Sequence, residues 1–219
     1  VVGTGALRIL EDNQESIERK VGSKLVVKRI AVRDKDRPRP ISVDQRILTT
    51  DPAEVVNDPE INIIVELIGG VQPAGDLLMQ ALKNGKHIVT ANKALVASEG
   101  HPLLEEADNR KLDFLFEASV AGGIPILNPL KTSLAGNDIR SLMGIVNGTT
   151  NYILTSMTSA GAAAEALRQQ GIEPIGGGGY VDALAAAQEL GYAESDPTND
   201  VEGYDAAYKL AIMATLGFR

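Results

Sequence analysis

Apolar positions along the chain fall into two periods. Leu25, Val26, Val27, Ile30, Ala31 and Val32 form an apolar, largely β-branched run that predicts a strand over Lys24 to Val32. Ile61 to Ile68 is almost continuously apolar, the pattern of a strand buried on both faces, and Gly69-Gly70 ends it. His87 to Thr90, Asp113 to Ser119 and Ser141 to Val146 predict further strands. Helical spacing separates them. Ala6, Leu7, Ile9, Leu10 and Ile17 recur on one stripe, Asp51-Pro52-Ala53-Glu54 opens a short helix, and Pro73 to Leu82, Pro102 to Lys111 and Ile126 to Leu134 continue the series. Strand and helix in alternation predict an α/β fold with a doubly wound parallel sheet, in which ligands gather at the carboxyl ends of the strands. Gly69, Gly70, Thr90 and Lys93 fall at those ends.

Beyond Val146 the pattern changes. Asn147-Gly148-Thr149-Thr150 supplies a turn that caps a helix through Tyr152, Leu154 and Met157. Ala162 to Gln170 is a strong helix former, and Gly171 to Gly179 has the composition of a linker. Residues 162–179 are expected to form a surface excursion without a catalytic residue. Tyr180 to Leu190 is helical, with Val181, Leu184 and Ala185 on one face. Pro197 and Gly203 then punctuate an acidic stretch, and Asp200 is an N-cap type before the run Val201 to Leu216. On that run Glu202, Asp205 and Lys209 share one face, while Ala206, Ala207, Leu210, Ala211 and Ala214 supply the apolar side expected to be buried. A lysine among carboxylates is a positioned acid or base, or a surface ion pair worth roughly 0.3–0.5 kcal/mol. The pattern leaves both readings open.

Composition narrows the class. With 219 residues, 44% of them hydrophobic, the chain buries one or two cores. A net charge of −8 and a pI near 4.9 argue against a nucleic-acid partner. No apolar stretch reaches the roughly 18–20 residues of a membrane span. The absence of cysteine rules out disulfide and thiol chemistry and fits a cytoplasmic location. His87 and His101 are too far apart to suggest a histidine metal site. Gly3-Thr4-Gly5 leads into a helix, where backbone N–H groups and the positive helix end suit a phosphate, although the strand and first glycines of a dinucleotide fingerprint are missing. After the first predicted strand, Arg33 suits the extra phosphate of NADP and Asp34 the ribose of NAD; the arginine comes first, which favours NADP, the other reading being a turn of solvated charges. Ala121-Gly122-Gly123-Ile124-Pro125 reads as a tight turn, or as a loop whose carbonyls turn inward as ligands of a hard cation.

Four longer motifs go further. Gly191-Tyr192-Ala193-Glu194 with Asp196-Pro197, Asp200, Gly203, Asp205, Ala206 and Lys209 resembles the signature segment of homoserine dehydrogenase. Thr90 to Ala94, Phe116 to Pro125 and Asn147 to Leu154 are similar to the same family in the same order, and only 162–179 falls outside the likeness. The resemblance implies a Rossmann-type dinucleotide-binding domain over 1–137 and an α+β substrate and dimerisation region over 138–219, both ends of the chain being cut short. It implies NAD(P)-dependent interconversion of L-aspartate 4-semialdehyde and L-homoserine, in threonine and methionine biosynthesis, by a cytoplasmic homodimer or larger homo-oligomer. Lys209 is then the acid or base at the carbonyl oxygen, oriented by Asp205, and Lys93 bridges cofactor and substrate. Glu194 and Asp200 hold the substrate ammonium, with Asp205, Asn147 and Thr149 beside them. Gly3, Thr4, Gly5, Arg33, Gly69, Gly70, Thr90, Lys93 and Gly191 face the cofactor. A monovalent cation, sodium, is implied near Glu117, Val120, Gly122 and Ile124. The alternatives are a non-catalytic fragment of such an enzyme and a related amino-acid dehydrogenase, for instance one acting on aspartate; the Asn147–Leu154 and Gly191–Lys209 motifs argue against the latter.

Overall fold

The computed structural model describes residues 2–169, 179–193 and 195–218. Most of the glycine-rich linker stretch therefore lies outside the described residues, as does Glu194. The chain divides into two compact units, Val1–Gly122 and Gly123–Arg219.

The first unit opens with α1 (Val2–Asp12) and α2 (Gln14–Val21), the latter ended by Gly22 in the left-handed region. Gly3, Thr4 and Gly5 lie inside the first turn of α1 rather than in a turn before it. β1 (Ile30–Ala31) pairs in parallel with β2 (Leu48–Thr49). The strand expected over 24–32 thus shrinks to two residues, extended by one bond from the Val32 N–H to the Thr49 carbonyl (2.8 Å). Next come α3 (Ala53–Val56), β3 (Ile63–Glu66), α4 (Ala74–Lys83), β4 (His87–Thr90), α5 (Lys93–Arg110) and β5 (Phe114–Leu115). β3, β4 and β5 form a parallel sheet in that order, with Ile64 opposite Ile88 and Ile88 opposite Phe114.

Helices α4 and α5 pack on each other, and Leu78, Leu82, Ile88 and Leu95 are wholly buried. Burial of such a side chain is worth about 1.5–3 kcal/mol. Gly75 sits where a Cβ would come within 3.2 Å of both Leu95 and Glu99, so its lack of a side chain fits the close approach of the two helices. α5 starts earlier than the run Pro102–Lys111 and kinks at Glu99 (φ −128°), three residues before Pro102. The expectation for Ile61–Ile68 needs correcting: β3 is buried on one face only. Ile64 and Glu66 point inward, whereas Ile63 (46% exposed), Val65 (52%) and, on β5, Leu115 (54%) lie open. A continuous apolar run reports two covered faces only where a layer lies on each side. The strand expected at Asp113–Ser119 stops at Leu115, and Glu117–Ser119 winds into a 3-10 turn in which the Ser119 hydroxyl donates to the Phe116 carbonyl (2.6 Å).

The second unit is helical. A π-helical turn at Pro129–Ser133 replaces the α-helix expected over 126–134. Residues 141–146 form no strand, because no described strand runs alongside to pair with them. α6 (Gly148–Gln169), α7 (Tyr180–Glu189), α8 (Thr198–Val201) and α9 (Tyr204–Gly217) follow. Ile153, Ala183, Ala187 and Ala193 form a small core against Tyr152, Met157 and Leu184. On α9 the expected orientation is reversed. Asp205 and Ile212 are buried and Lys209 is mostly so, while Ala207, Leu210 and Ala211 on the apolar side are exposed.

Candidate active site

In the second unit the site is built around one amide. Asn147 precedes α6, and its Oδ1 accepts the Thr150 N–H (2.7 Å) and the Thr150 hydroxyl (2.6 Å), a cap of the kind the turn sequence predicts. Its Nδ2 donates to Asp200 Oδ1 (2.7 Å) and Asp205 Oδ2 (2.8 Å). Asp200 comes from α8 and Asp205 from the first turn of α9, where the positive helix end favours a carboxylate. Gly203, at φ 81°, makes the turn between these helices.

Lys209 stands one turn further along α9. Its Nζ donates to Asp205 Oδ2 (2.7 Å) and to the Val146 carbonyl (2.7 Å). With side-chain exposures of 16% and 4%, Lys209 and Asp205 are not the solvated surface pair that spacing alone allowed. The ammonium has three donors, of which these bonds engage two. Among the described residues the third is the one that can meet a substrate oxygen. Thr149 is committed elsewhere: its hydroxyl donates to the Tyr192 carbonyl (2.7 Å), and Tyr192 stacks on Tyr152 at 5.0 Å between ring centroids. Gly191, at φ 77°, makes the turn before Tyr192. Asp196 caps α8 through Thr198, whose hydroxyl first and amide second hold the carboxyl below its ordinary value. Glu194, expected to bind substrate, lies outside the described residues.

The first unit carries the other expected residues. Gly69 (φ 81°) and Gly70 (φ 72°) turn the chain at the carboxyl end of β3, beside a cleft of about 180 Å³ lined by Val2, Leu67, Gly69, Ala91 and Asn92. Gly3 in the first turn of α1 faces Leu67, so the N-terminal turn of the helix, which holds Gly3, Thr4 and Gly5, adjoins that cleft. Thr90 ends β4 and is buried, and Lys93 opens α5. Arg33 is exposed just after β1. Its loop is organised by a different arginine, Arg39, whose guanidinium donates to the carbonyls of Asp34 (2.5 Å), Lys35 (2.8 Å) and Arg37 (3.0 Å). Glu117, Val120 and Gly122 fall within six residues, a carboxylate and two carbonyls of the hard-donor type. Ile124 is exposed in the second unit. Among the described residues no group of three or more His, Cys, Asp or Glu side chains is placed to hold a metal.

Three groups escaped the sequence patterns: Glu66, Asn92 and the Val146 carbonyl. Glu66 left a signal as the one charge in an apolar run that ends at two glycines, and Asn92 lies inside the Thr90–Ala94 motif.

A parallel α/β unit with a glycine turn at its strand ends belongs to the Rossmann-type nucleotide-binding domains, and residues 1–117 match the family description "Homoserine dehydrogenase, NAD binding domain". Residues 125–219 match "Homoserine dehydrogenase". The homoserine dehydrogenase of Synechocystis is 48% identical over 217 residues, 99% of this chain and 46% of its own, and that of Bacillus subtilis is 43% identical over the same span. The crystal structure of a homoserine dehydrogenase from Thiobacillus denitrificans superposes with a TM-score of 0.85 at 45% identity, covering 99% of this chain and 46% of that one. A hyperthermophilic archaeal homoserine dehydrogenase in complex with NADPH is 30% identical with a TM-score of 0.64, covering 76% of this chain and 47% of its own. The chain belongs to the homoserine dehydrogenase family, and it spans about half the length of the curated relatives it matches.

Proposed function

We propose that the protein interconverts L-aspartate 4-semialdehyde and L-homoserine with NADP(H), as a homoserine dehydrogenase serving threonine and methionine biosynthesis. The observation that carries this reading is the Lys209 ammonium, held by Asp205 and the Val146 carbonyl with a donor left over. Such a group donates to the carbonyl oxygen as negative charge develops there, and takes the proton back from the alcohol in the reverse direction. Asp205 fixes its direction, and Asp200 attracts the cationic amine of the substrate. Asn147, with its four hydrogen bonds, supports these two carboxylates, and Thr149 ties α6 to the Tyr192 segment.

The glycine turn, the α1 N-terminus and the cleft fit a dinucleotide, because backbone N–H groups and side-chain-free positions suit a phosphate and a flat ring. When bound, the nicotinamide supplies the hydride to the aldehyde carbon and accepts it in reverse. Gly3, Thr4, Gly5, Gly69, Gly70, Thr90, Lys93 and Gly191 are proposed to bind the cofactor. Arg33 is proposed to meet the 2′-phosphate, which favours NADP over NAD. The donor types at Glu117, Val120 and Gly122 suit a monovalent cation such as sodium. A cytoplasmic homo-oligomer belongs to the same reading.

The test is NADPH oxidation by the full-length protein with L-aspartate 4-semialdehyde. Turnover, at a rate that depends on Lys209, is expected. NADPH binding without turnover would leave a binding module, and neither binding nor turnover would remove the reading.

A further inference from the structure

Glu66 is a carboxylate that the chemistry above does not use. It is 3% exposed at the carboxyl end of β3, opposite Thr90 in the sheet register. Burying a carboxylate is costly unless its oxygens accept hydrogen bonds. Here Oε1 accepts the backbone N–H groups of Ile68 (2.6 Å) and Gly69 (3.1 Å), and Oε2 accepts the Thr90 hydroxyl (2.6 Å). The chain of bonds continues. Thr90 Oγ1 accepts the Asn92 N–H (3.0 Å), Asn92 Oδ1 caps α5 at the Leu95 N–H (3.1 Å), and Asn92 Nδ2 donates to the Gly70 carbonyl (2.6 Å).

These bonds close a ring running from Glu66 through residues 68–70 to Asn92, then Thr90, and back to Glu66. The ring encloses Gly69 and Gly70, two consecutive glycines that both sit at positive φ. Glycines lose the most conformational freedom on ordering, so a glycine pair holds one shape only where neighbours impose it. We infer that Glu66 is a positioning residue for the nicotinamide cofactor: through this ring it fixes the Gly69-Gly70 turn and the Thr90 side chain against which the dinucleotide binds. The inference rests on the cofactor reading above.

The experiment compares NADPH binding, followed by the fluorescence of the bound nucleotide, in the full-length parent and in Glu66→Gln. Glutamine keeps the size and one acceptor, and it places an amide N–H where the Thr90 hydroxyl donates. The NADPH dissociation constant should rise about tenfold, while the KM for L-aspartate 4-semialdehyde at saturating cofactor stays within about twofold and the melting temperature changes little. A merely structural role would shift stability and both constants together. Parent-like NADPH affinity in folded Glu66→Gln overturns the inference. Should that variant not fold, Asn92→Asp examines the same ring, since it keeps the cap on Leu95 and removes the donor to Gly70. A similar selective loss is expected, and unchanged NADPH affinity overturns the proposal. A parent that binds neither NADPH nor NADH brings down the functional reading, and this inference with it. A parent that binds and a variant that binds equally well bring down the inference alone.

Discussion

Lys209 makes its case through the number of protons it holds. An ammonium with two donors committed to fixed acceptors is aimed, and its third donor has a defined direction. Replacing Lys209 with alanine should lower kcat by about 10²–10⁴-fold, the range for a lost general acid or base, with NADPH affinity kept. Steady-state kinetics and a binding titration together decide this; a rate within a few-fold of the parent removes Lys209 from the chemistry. Part of this arrangement was legible in the residues themselves. The spacing of Asp205 and Lys209 placed them on one face, and the motif placed Asn147 near the same chemistry. That Asn147 is shared by Asp200 and Asp205 was not legible, because those contacts join residues 53 and 58 positions apart. A one-dimensional pattern carries no such separation.

Among the elements, α9 shows how periodicity and polarity divide the work. A 3.6-residue period finds two faces, and hydrophobicity then nominates the apolar one for burial. On α9 the nomination fails, because bonds from Asn147 and to the Val146 carbonyl draw the Asp205–Lys209 face inward. The expected strand at 141–146 fails for another reason: extended apolar sequence becomes a strand only where a partner backbone is present. α4 behaves as its pattern predicts, and its packing against α5 sets a limit on side-chain size at Gly75. Gly75→Leu should destabilise the folded chain by about 1–3 kcal/mol, the usual cost of overpacking, as read from urea denaturation. An unchanged midpoint would mean that the two helices move apart easily.

For the whole molecule, the asymmetry of the β3–β4–β5 sheet matters most. α4 packs on β3 and β4, burial alternates along β3, and neighbouring residues of that strand therefore have opposite energetic weight. Ile64→Ala should cost about 2–5 kcal/mol, whereas Val65→Ala, on the open face, should cost under about 1 kcal/mol. Chemical denaturation of the 219-residue chain measures both, and equal losses would show that the open face is covered in solution. The alternation of strands and helices was readable over most of the first unit. Which face of each strand is covered was not, since that depends on layers rather than on the strand.

The position of Asn147 has a consequence for how the protein ages. It is followed by Gly148, and a glycine nitrogen, with no side chain beside it, readily attacks the preceding carboxamide to form a succinimide that hydrolyses to aspartate or its isomer. In the folded protein the carboxamide is tied by four hydrogen bonds, which resist the rotation this attack requires. The same bonds that gather the two carboxylates thus act as a chemical preservative. Where they open, the product places a third negative charge between Asp200 and Asp205, in place of an amide that donates to both. Peptide mass spectrometry after incubation in mild base should find amide-to-acid conversion at this position far slower in the folded protein than in urea. Equal rates in the two states would show that the folded site gives the amide no protection.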